Sequence, residues 1–230
     1  MVNKRTLFNW LLPPGSCLLC AGNSNNLVCN ACRADLPSLD SCCRLCALPL
    51  PQPGPCPECL RRPPPFTARA AFHYDYPLAL LIKRLKFRGD AGLGRFLGEC
   101  LYAELTRWPL ANRPECLLPM PLHWRRQLWR GFNQSLELAR PIAAGLGIPL
   151  RTDLCRRVRA TAPQTYLGRS ARRRNVRAAF RVGSGPLPRH VAIVDDVMTS
   201  GHTVTELARS LRRAGVEEVQ VWALARAAPE

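Results

Sequence analysis

Val191-Ala192-Ile193-Val194-Asp195-Asp196-Val197-Met198-Thr199-Ser200-Gly201-His202-Thr203 joins a buried strand to a helix through a polar turn. Val191 to Val194 is an apolar, mostly β-branched run without alternation, the pattern of a strand covered on both faces of a parallel sheet. The two acids fall at its end. Beyond the turn, Val204, Leu207, Ala208 and Leu211 recur at i, i+3, i+4 and i+7, so a helix begins near Thr203 and stops at Ala214-Gly215. Ligands of open parallel sheets gather beyond the carboxyl ends of the strands, where a helix amino terminus offers unpaired N–H groups and partial positive charge. Thr199, Ser200 and Thr203 add hydroxyls there, and Gly201 can take a positive φ that lets successive amides converge on an anion. A phosphate fits this turn. Asp195 and Asp196 would repel it, so they face something else; adjacent carboxylates suit sugar hydroxyls, directly or through Mg²⁺ that keeps several waters.

The segment Asp195-Asp196-x-x-Thr199-Ser200-Gly201-x-Thr203 after an apolar strand resembles the phosphoribosyl pyrophosphate (PRPP) signature of type I phosphoribosyltransferases. The resemblance implies that Asp195 and Asp196 are the catalytic acids that meet the ribose hydroxyls. It also implies that Thr199, Ser200, Gly201, His202 and Thr203 wrap the 5-phosphate, with Mg²⁺ arriving on PRPP.

The chain has 230 residues, 47% hydrophobic and 21% charged, which describes a globular protein with a real core and excludes a disordered one. A net charge of +17 points to anionic partners, nucleic acid or phosphorylated metabolites. Nearly all of the basic residues are arginine, lysine occurring only at Lys4, Lys83 and Lys86, a bias that genomic base composition also produces. Met1 to Cys17 has the basic start and apolar Leu7 to Leu12 run of a secretory leader, but Asn9 breaks the run and Pro13-Pro14-Gly15-Ser16 is a poor cleavage site. No stretch has the length of a membrane span, so the expectation is a cytoplasmic protein without membrane insertion.

Eight of the twelve cysteines form four C-x2-C doublets, Cys17/Cys20, Cys29/Cys32, Cys43/Cys46 and Cys56/Cys59. Each doublet sets two thiolates on one knuckle, and two knuckles complete a tetrahedral shell around Zn²⁺, so two structural zinc ions are expected. Pairing in sequence closes short loops and is the expected scheme; a crossed pairing satisfies the same spacing. Disulfides or a redox C-x-x-C find no βαβ context here. Pro49, Pro51, Pro53, Pro55 and Pro57 leave little apolar material between ligands, so metal is expected to hold this head, with about 10–16 kcal/mol available from structural zinc. Cys42, Cys100, Cys116 and Cys155 read as small buried hydrophobes.

Arg61-Arg62-Pro63-Pro64-Pro65 divides the chain into a Cys-rich unit, residues 1–62, and a body, residues 63–230. Ala70 to Tyr74 predicts a strand, Leu78, Leu81, Ile82 and Leu85 a helix, and Leu93, Phe96, Leu97, Leu101 and Leu105 a second helix. Cys116 to Met120 predicts a strand that leads into a basic loop with Arg125, Arg126 and Arg130, on the same edge as Asp195. Asn133 to Leu146 is a helix despite Pro141, and Ile148 to Leu150 begins another strand. Arg151 to Arg177 holds nine arginines, Arg172 among them, against one acid, Asp153. That density suits either a flap over pyrophosphate or an electrostatic track for nucleic acid. Ala178 to Val182 and Glu218 to Ala225 supply further strands around the central one.

Taken with Leu85-Lys86-Phe87-Arg88-Gly89, Pro119-Met120-Pro121, Arg130-Gly131-Phe132-Asn133-Gln134, Thr161-x-x-Gln164-x-x-Leu167 and Arg172-x-x-Asn175, the doublets and the PRPP segment resemble the ComF/GntX family over nearly the whole chain. The resemblance implies an α/β fold, a type I phosphoribosyltransferase-like parallel-rich sheet flanked by helices, with a small amino-terminal zinc-binding domain. It implies a protein linked to natural competence and to the use of external DNA, with PRPP, single-stranded DNA or nucleotides, and the DNA-uptake machinery as partners. Arg125, Arg126, Arg130 and Arg172 would contact pyrophosphate or nucleic acid. Two functions follow: a phosphoribosyltransferase, or a non-catalytic PRPP sensor that binds single-stranded DNA. A cysteine redox protein is a third, weaker fit.

Overall fold

The computed structural model describes residues 15–107, 112–159 and 178–228. Most of the leader-like stretch, the arginines from Arg169 to Arg177, and Thr161, Gln164, Leu167 and Asn175 lie outside the described residues. In chain order the elements are α1 (Asn30–Ala34), α2 (Pro57–Arg61), β1 (Thr67–His73), α3 (Leu78–Arg88), α4 (Ala91–Thr106), β2 (Cys116–Pro119), α5 (Trp124–Arg130) and α6 (Gln134–Leu146). They continue with β3 (Cys155–Arg157), β4 (Phe180–Val182), β5 (His190–Met198), α7 (His202–Ala214) and β6 (Glu218–Arg226).

Strands β1, β6, β5 and β2, in that spatial order, form one sheet in which every pairing is parallel. Residues of β5 divide between its faces as a pleat requires. Ala192 and Val194 pack with the leucines of α3, α4 and α6, while Val191 and Ile193 pack with Val204, Leu207, Ala208 and Leu211 of α7. Helices α4 and α6 approach so closely that a Cβ on Gly98 would lie 2.5 Å from the Leu138 carbonyl oxygen and from Pro141 Cγ. Pro141 is therefore accommodated inside α6, at the point where its partner helix has no side chain.

Four expectations need correction. Strand β5 does not stop at Val194: β6 runs alongside for nine residues and carries the ladder past the acids, pairing Asp195 with Ala223 and Met198 with Arg226. Ile148 to Leu150 gives only a bridge between Leu117 and Leu150, since Pro149 has no N–H with which to extend a ladder. Phe180 to Val182 does not join the central sheet but pairs antiparallel with β3 in a separate two-stranded ribbon. The basic loop after β2 contains α5, which starts where His123 Nδ1 accepts from the Arg125 N–H at 3.3 Å and ends at Gly131, φ +76°.

The Cys-rich head also draws on the body more than its composition suggests. Cys17, Val28 and Leu36 belong to the core beneath α3 and α4, and Leu39 and Ala47 to the core on the other face of the sheet. Its backbone lies along the outer side of β1. Leu39 N–H donates to Ala71 C=O at 3.0 Å, His73 N–H to Pro37 C=O at 2.8 Å, and Ala68 N–H to Leu45 C=O at 3.0 Å. Packing against the body therefore contributes to holding the head, beside the metal that its cysteines are expected to ligate.

Candidate functional site

The carboxyl ends of β5 and β2 and the amino ends of α6 and α7 converge on Asp195 and Asp196, both buried. Asn133 caps α6 by accepting from the Ser135 N–H at 3.0 Å, and its amide donates to the Met120 carbonyl at 3.2 Å, which fixes α6 to the end of β2. Ser135 thereby points its hydroxyl at Asp195, donating to Oδ1 at 3.2 Å, while the Asp196 N–H donates to the same oxygen at 2.9 Å. From α3, Lys86 Nζ reaches Asp196 Oδ2 at 2.5 Å. Burial, and then the charge of Asp196, push the Asp195 carboxyl well above the ordinary carboxylate range, with Lys86 pulling the other way. Burial would lower the Lys86 ammonium, but Asp196 and then Asp195 outweigh it and raise it.

After Met198 the chain turns through exposed Thr199 and Ser200 to Gly201, whose φ of +72° is left-handed, and α7 begins at His202. Nothing lies within 4 Å of where a Gly201 Cβ would stand, so the requirement for glycine is conformational. His202 Nδ1 and Ser200 Oγ are 2.6 Å apart, and the Gly201 carbonyl accepts from the N–H and hydroxyl of Thr205, both at 2.8 Å. Thr203 is half-buried in the first turn of α7. Backbone N–H groups at a helix amino terminus and clustered hydroxyls are a ready recognition surface for a phosphate.

Of the arginines expected near this edge, Arg126 and Arg130 are half-buried on the inner side of α5. Arg130 Nη1 donates to Gln134 Oε1 at 3.1 Å. Its buried Nε has no hydrogen-bond acceptor among the described residues. Burial and then Arg130 lower the pKa of Arg126. Arg125 faces outward, exposed, its guanidinium 5.3 Å from the Trp124 ring centre. Arg172 lies outside the described residues. Arg157, which sequence reasoning placed only within an Arg-rich run, joins the inner group: it is buried and bridged to His123. Its pKa is drawn down to about 10 by burial and then by Arg126, against the pull of Asp195. Positive charge thus gathers on the inner side of α5 and at the end of β3, where Arg157 feels the charge of Asp195.

In the head, the sulfurs of Cys17, Cys20, Cys29 and Cys32 form one group and those of Cys43, Cys46, Cys56 and Cys59 another, each within 4.8 Å, which is the pairing in sequence. Cys20 and Cys29 Sγ are 3.8 Å apart, as are Cys46 and Cys56 Sγ. A tetrahedron with Zn–S of about 2.3 Å has S···S edges of about 3.8 Å, so both groups fit zinc. Backbone N–H groups prepare the thiolates: Leu19 and Cys29 donate to Cys17 Sγ at 3.4 and 3.3 Å, and Cys56 to Cys43 Sγ at 3.2 Å. Burial opposes ionisation, but backbone donors outweigh it and bring the Cys17 thiol to about 6 and that of Cys43 to about 7.

One residue connects the second cysteine group to the turn. Arg226, buried at the end of β6, donates from Nε to the Cys46 carbonyl at 3.1 Å. Its Nη1 donates to the carbonyls of Met198 at 2.8 Å, Ala227 at 3.0 Å and Thr199. Lys86, Ser135, Arg157 and Arg226 are the site residues that sequence reasoning did not assign. Lys86 alone carried a signal, as one of three lysines in an arginine-dominated chain, inside a motif already quoted.

A parallel sheet that ends in this acid-rich strand and glycine turn, beside two four-cysteine groups, defines a phosphoribosyltransferase-type fold with a zinc-ribbon head. Residues 7–60 match the family model of a double zinc ribbon domain, and residues 133–229 that of a phosphoribosyl transferase domain. Over 228 residues the chain is 39% identical to the DNA utilization protein YhgH of Salmonella typhi, covering 94% of this chain and 99% of that one. It is 36% identical over 222 residues to Competence protein F of Haemophilus influenzae, covering 92% and 96%. Against Competence protein ComFC of Streptococcus pneumoniae the identity is 29% over 161 residues, 69% of this chain and 67% of that one. The chain belongs to the ComF/GntX family. Among the described residues no helix is long and apolar enough to cross a membrane.

Proposed function

We propose that this protein binds Mg²⁺–PRPP at the edge of its sheet and transfers or releases the phosphoribosyl group in the cytoplasmic handling of external DNA. In this reading residues 1–62, carrying zinc, brace a phosphoribosyl unit of residues 63–230. The observation that carries it is the meeting at one edge of three recognition elements: the buried Asp195–Asp196 pair, the left-handed Gly201 turn at the head of α7, and the inward Arg126 and Arg130. The turn takes the 5-phosphate, the acids take the ribose hydroxyls, and the arginines take pyrophosphate. Mg²⁺ would supply charge neutralisation on the pyrophosphate, with Asp195 and Asp196 suited to its bound waters. The DNA connection rests on the names of the relatives, DNA utilization protein and competence protein.

A second reading, binding without transfer, is favoured by the engagement of both acids: Lys86 holds Asp196 and Ser135 holds Asp195. Calorimetric PRPP binding beside pyrophosphate release, in the wild type, Asp195→Asn and Asp196→Asn, separates the two. Candidate bases and oligonucleotides serve as acceptors. Transfer predicts release that both variants abolish; binding without release for any acceptor makes the protein a sensor. Absence of Mg²⁺–PRPP binding by the wild type would reject both.

A further inference from the structure

The outward side of α5 is used by nothing described so far. At about 100° per residue, Trp124, Leu128, Arg125 and Trp129 span a continuous face about 140° wide, and Arg126 and Arg130 fall on the other side. The exposures agree with this division. Trp124 is 57% exposed, Leu128 75% and Trp129 73%, although such side chains are ordinarily the first to be buried. Close by, the end of α3 presents Phe87, 71% exposed, while Gly89, its cap, sits against the Phe132 ring and the Arg130 carbonyl just beyond α5. Two indoles and a phenyl ring are thus displayed around the rim of the proposed PRPP site.

The charges of the segment select the occupant. No Asp or Glu occurs between Cys116 and Leu136, three arginines lie on α5 itself, and the chain carries +17. A protein partner docking on exposed tryptophans would need its own acidic surface. A single-stranded polynucleotide supplies both complements at once, π-faces for the indoles and phosphates for the guanidiniums. Arg125, 5.3 Å from the Trp124 ring centre, already sets a cation beside the surface where a base would stack.

We propose that the outer face of α5, with Trp124, Trp129 and Arg125, is a stacking platform for single-stranded nucleic acid that leads the strand to the rim of the PRPP site. The proposal deepens the nucleic-acid side of the function proposed above and rests on that reading for the kind of partner; the place comes from the surface itself. Stacking is indifferent to sequence, so recognition here is of single-strandedness, and a duplex, whose bases are already stacked, binds less well.

The test uses the full chain and a labelled oligothymidylate strand, followed by anisotropy and by quenching of indole fluorescence. Trp124→Ala and Trp129→Ala are each expected to weaken binding roughly fivefold or more, while Trp124→Tyr and Trp129→Tyr keep most of it. Arg125→Gln should lower the salt slope by about 0.7. All these side chains are exposed, so folding is preserved, and Mg²⁺–PRPP affinity of the Trp124 and Trp129 variants, measured on the same samples, should stay at the wild-type value. Strand binding that is undiminished in both alanine variants, or absent from the wild type, overturns the platform, as does equal affinity for a duplex. Loss of self-association in the alanine variants with strand affinity kept would make the face a protein contact instead. If strand binding depends on the tryptophans but PRPP does not bind, the platform stands and the phosphoribosyl reading falls.

Discussion

Replacing Arg226 by Met keeps much of the stem and removes the guanidinium that joins the second cysteine group to the turn after β5. The Cys46 carbonyl loses its donor at 3.1 Å, and an orphaned acceptor costs about 1–3 kcal/mol, while the Met198 carbonyl loses the guanidinium at 2.8 Å but keeps the Ala227 N–H at 3.1 Å. Roughly 1–3 kcal/mol of stability is therefore at stake. The part that falls on Cys46, itself a proposed ligand, loosens its knuckle; at about 1.4 kcal/mol per decade, zinc should bind the Cys43/Cys46/Cys56/Cys59 group roughly tenfold more weakly. The other group, built on Cys17, has no contact with Arg226 among those described and should hold its metal as before. Competition with a coloured chelator resolves the two: wild type should release both ions slowly, and Arg226→Met should release one quickly and one slowly. Mg²⁺–PRPP affinity should fall in the same variant, since Met198 and Thr199 lose the same anchor, and Arg226→Lys should recover part of each. Unchanged release of both ions from a variant that has merely become less stable would refute the coupling and leave Arg226 an ordinary buried support.

A raised Asp195 pKa means that the folded chain keeps a proton that the unfolded chain gives up above about pH 4. The associated stability is complete below that pH and erodes as pH climbs towards the raised folded value, so Asp195→Asn should flatten the dependence. Urea midpoints from about pH 4 to 9 should show the variant gaining on the wild type as pH rises, without added ligand. Gly98→Ala forces a Cβ to within 2.5 Å of α6 and should cost about 1–3 kcal/mol or more, read as a lower denaturant midpoint with zinc content unchanged. Metal analysis of protein purified without chelator should give two zinc ions per chain, and less than about one, with intramolecular disulfides in their place, would remove the zinc assignment.

What the sequence made legible was whatever depends on local periodicity or fixed spacing. The helix after Gly201, the leucine stripes of α3 and α4 and the C-x2-C pairs are all written in neighbouring residues. The misses share a physical cause. Helix α5 buries none of its residues, so its apolar side chains face solvent, against the rule that reads an apolar stripe as the side turned to the core. Phe180 to Val182 has strand character, but three residues cannot announce which partner they will meet. Lys86, Ser135, Arg157 and Arg226 reach the site from four elements, and nothing in a linear pattern says that α3, α6, β3 and β6 converge there. The acids and the turn were legible because one strand–turn–helix unit carries them all.

Strand β1 is an outermost strand of the sheet, and an outermost strand is a template on which further chains can add. The head occupies that template: its hydrogen bonds to Ala68, Ala71 and His73 come from the segment between Pro37 and Leu45, next to and within the second cysteine group. Zinc supply therefore sets more than the shape of a small appendage. A chain starved of metal would present an open sheet margin next to Phe72 and the leucines beneath it, and copies would meet margin to margin. For this protein, metal deficiency should appear first as precipitation, ahead of any loss of ligand binding in the molecules that stay in solution.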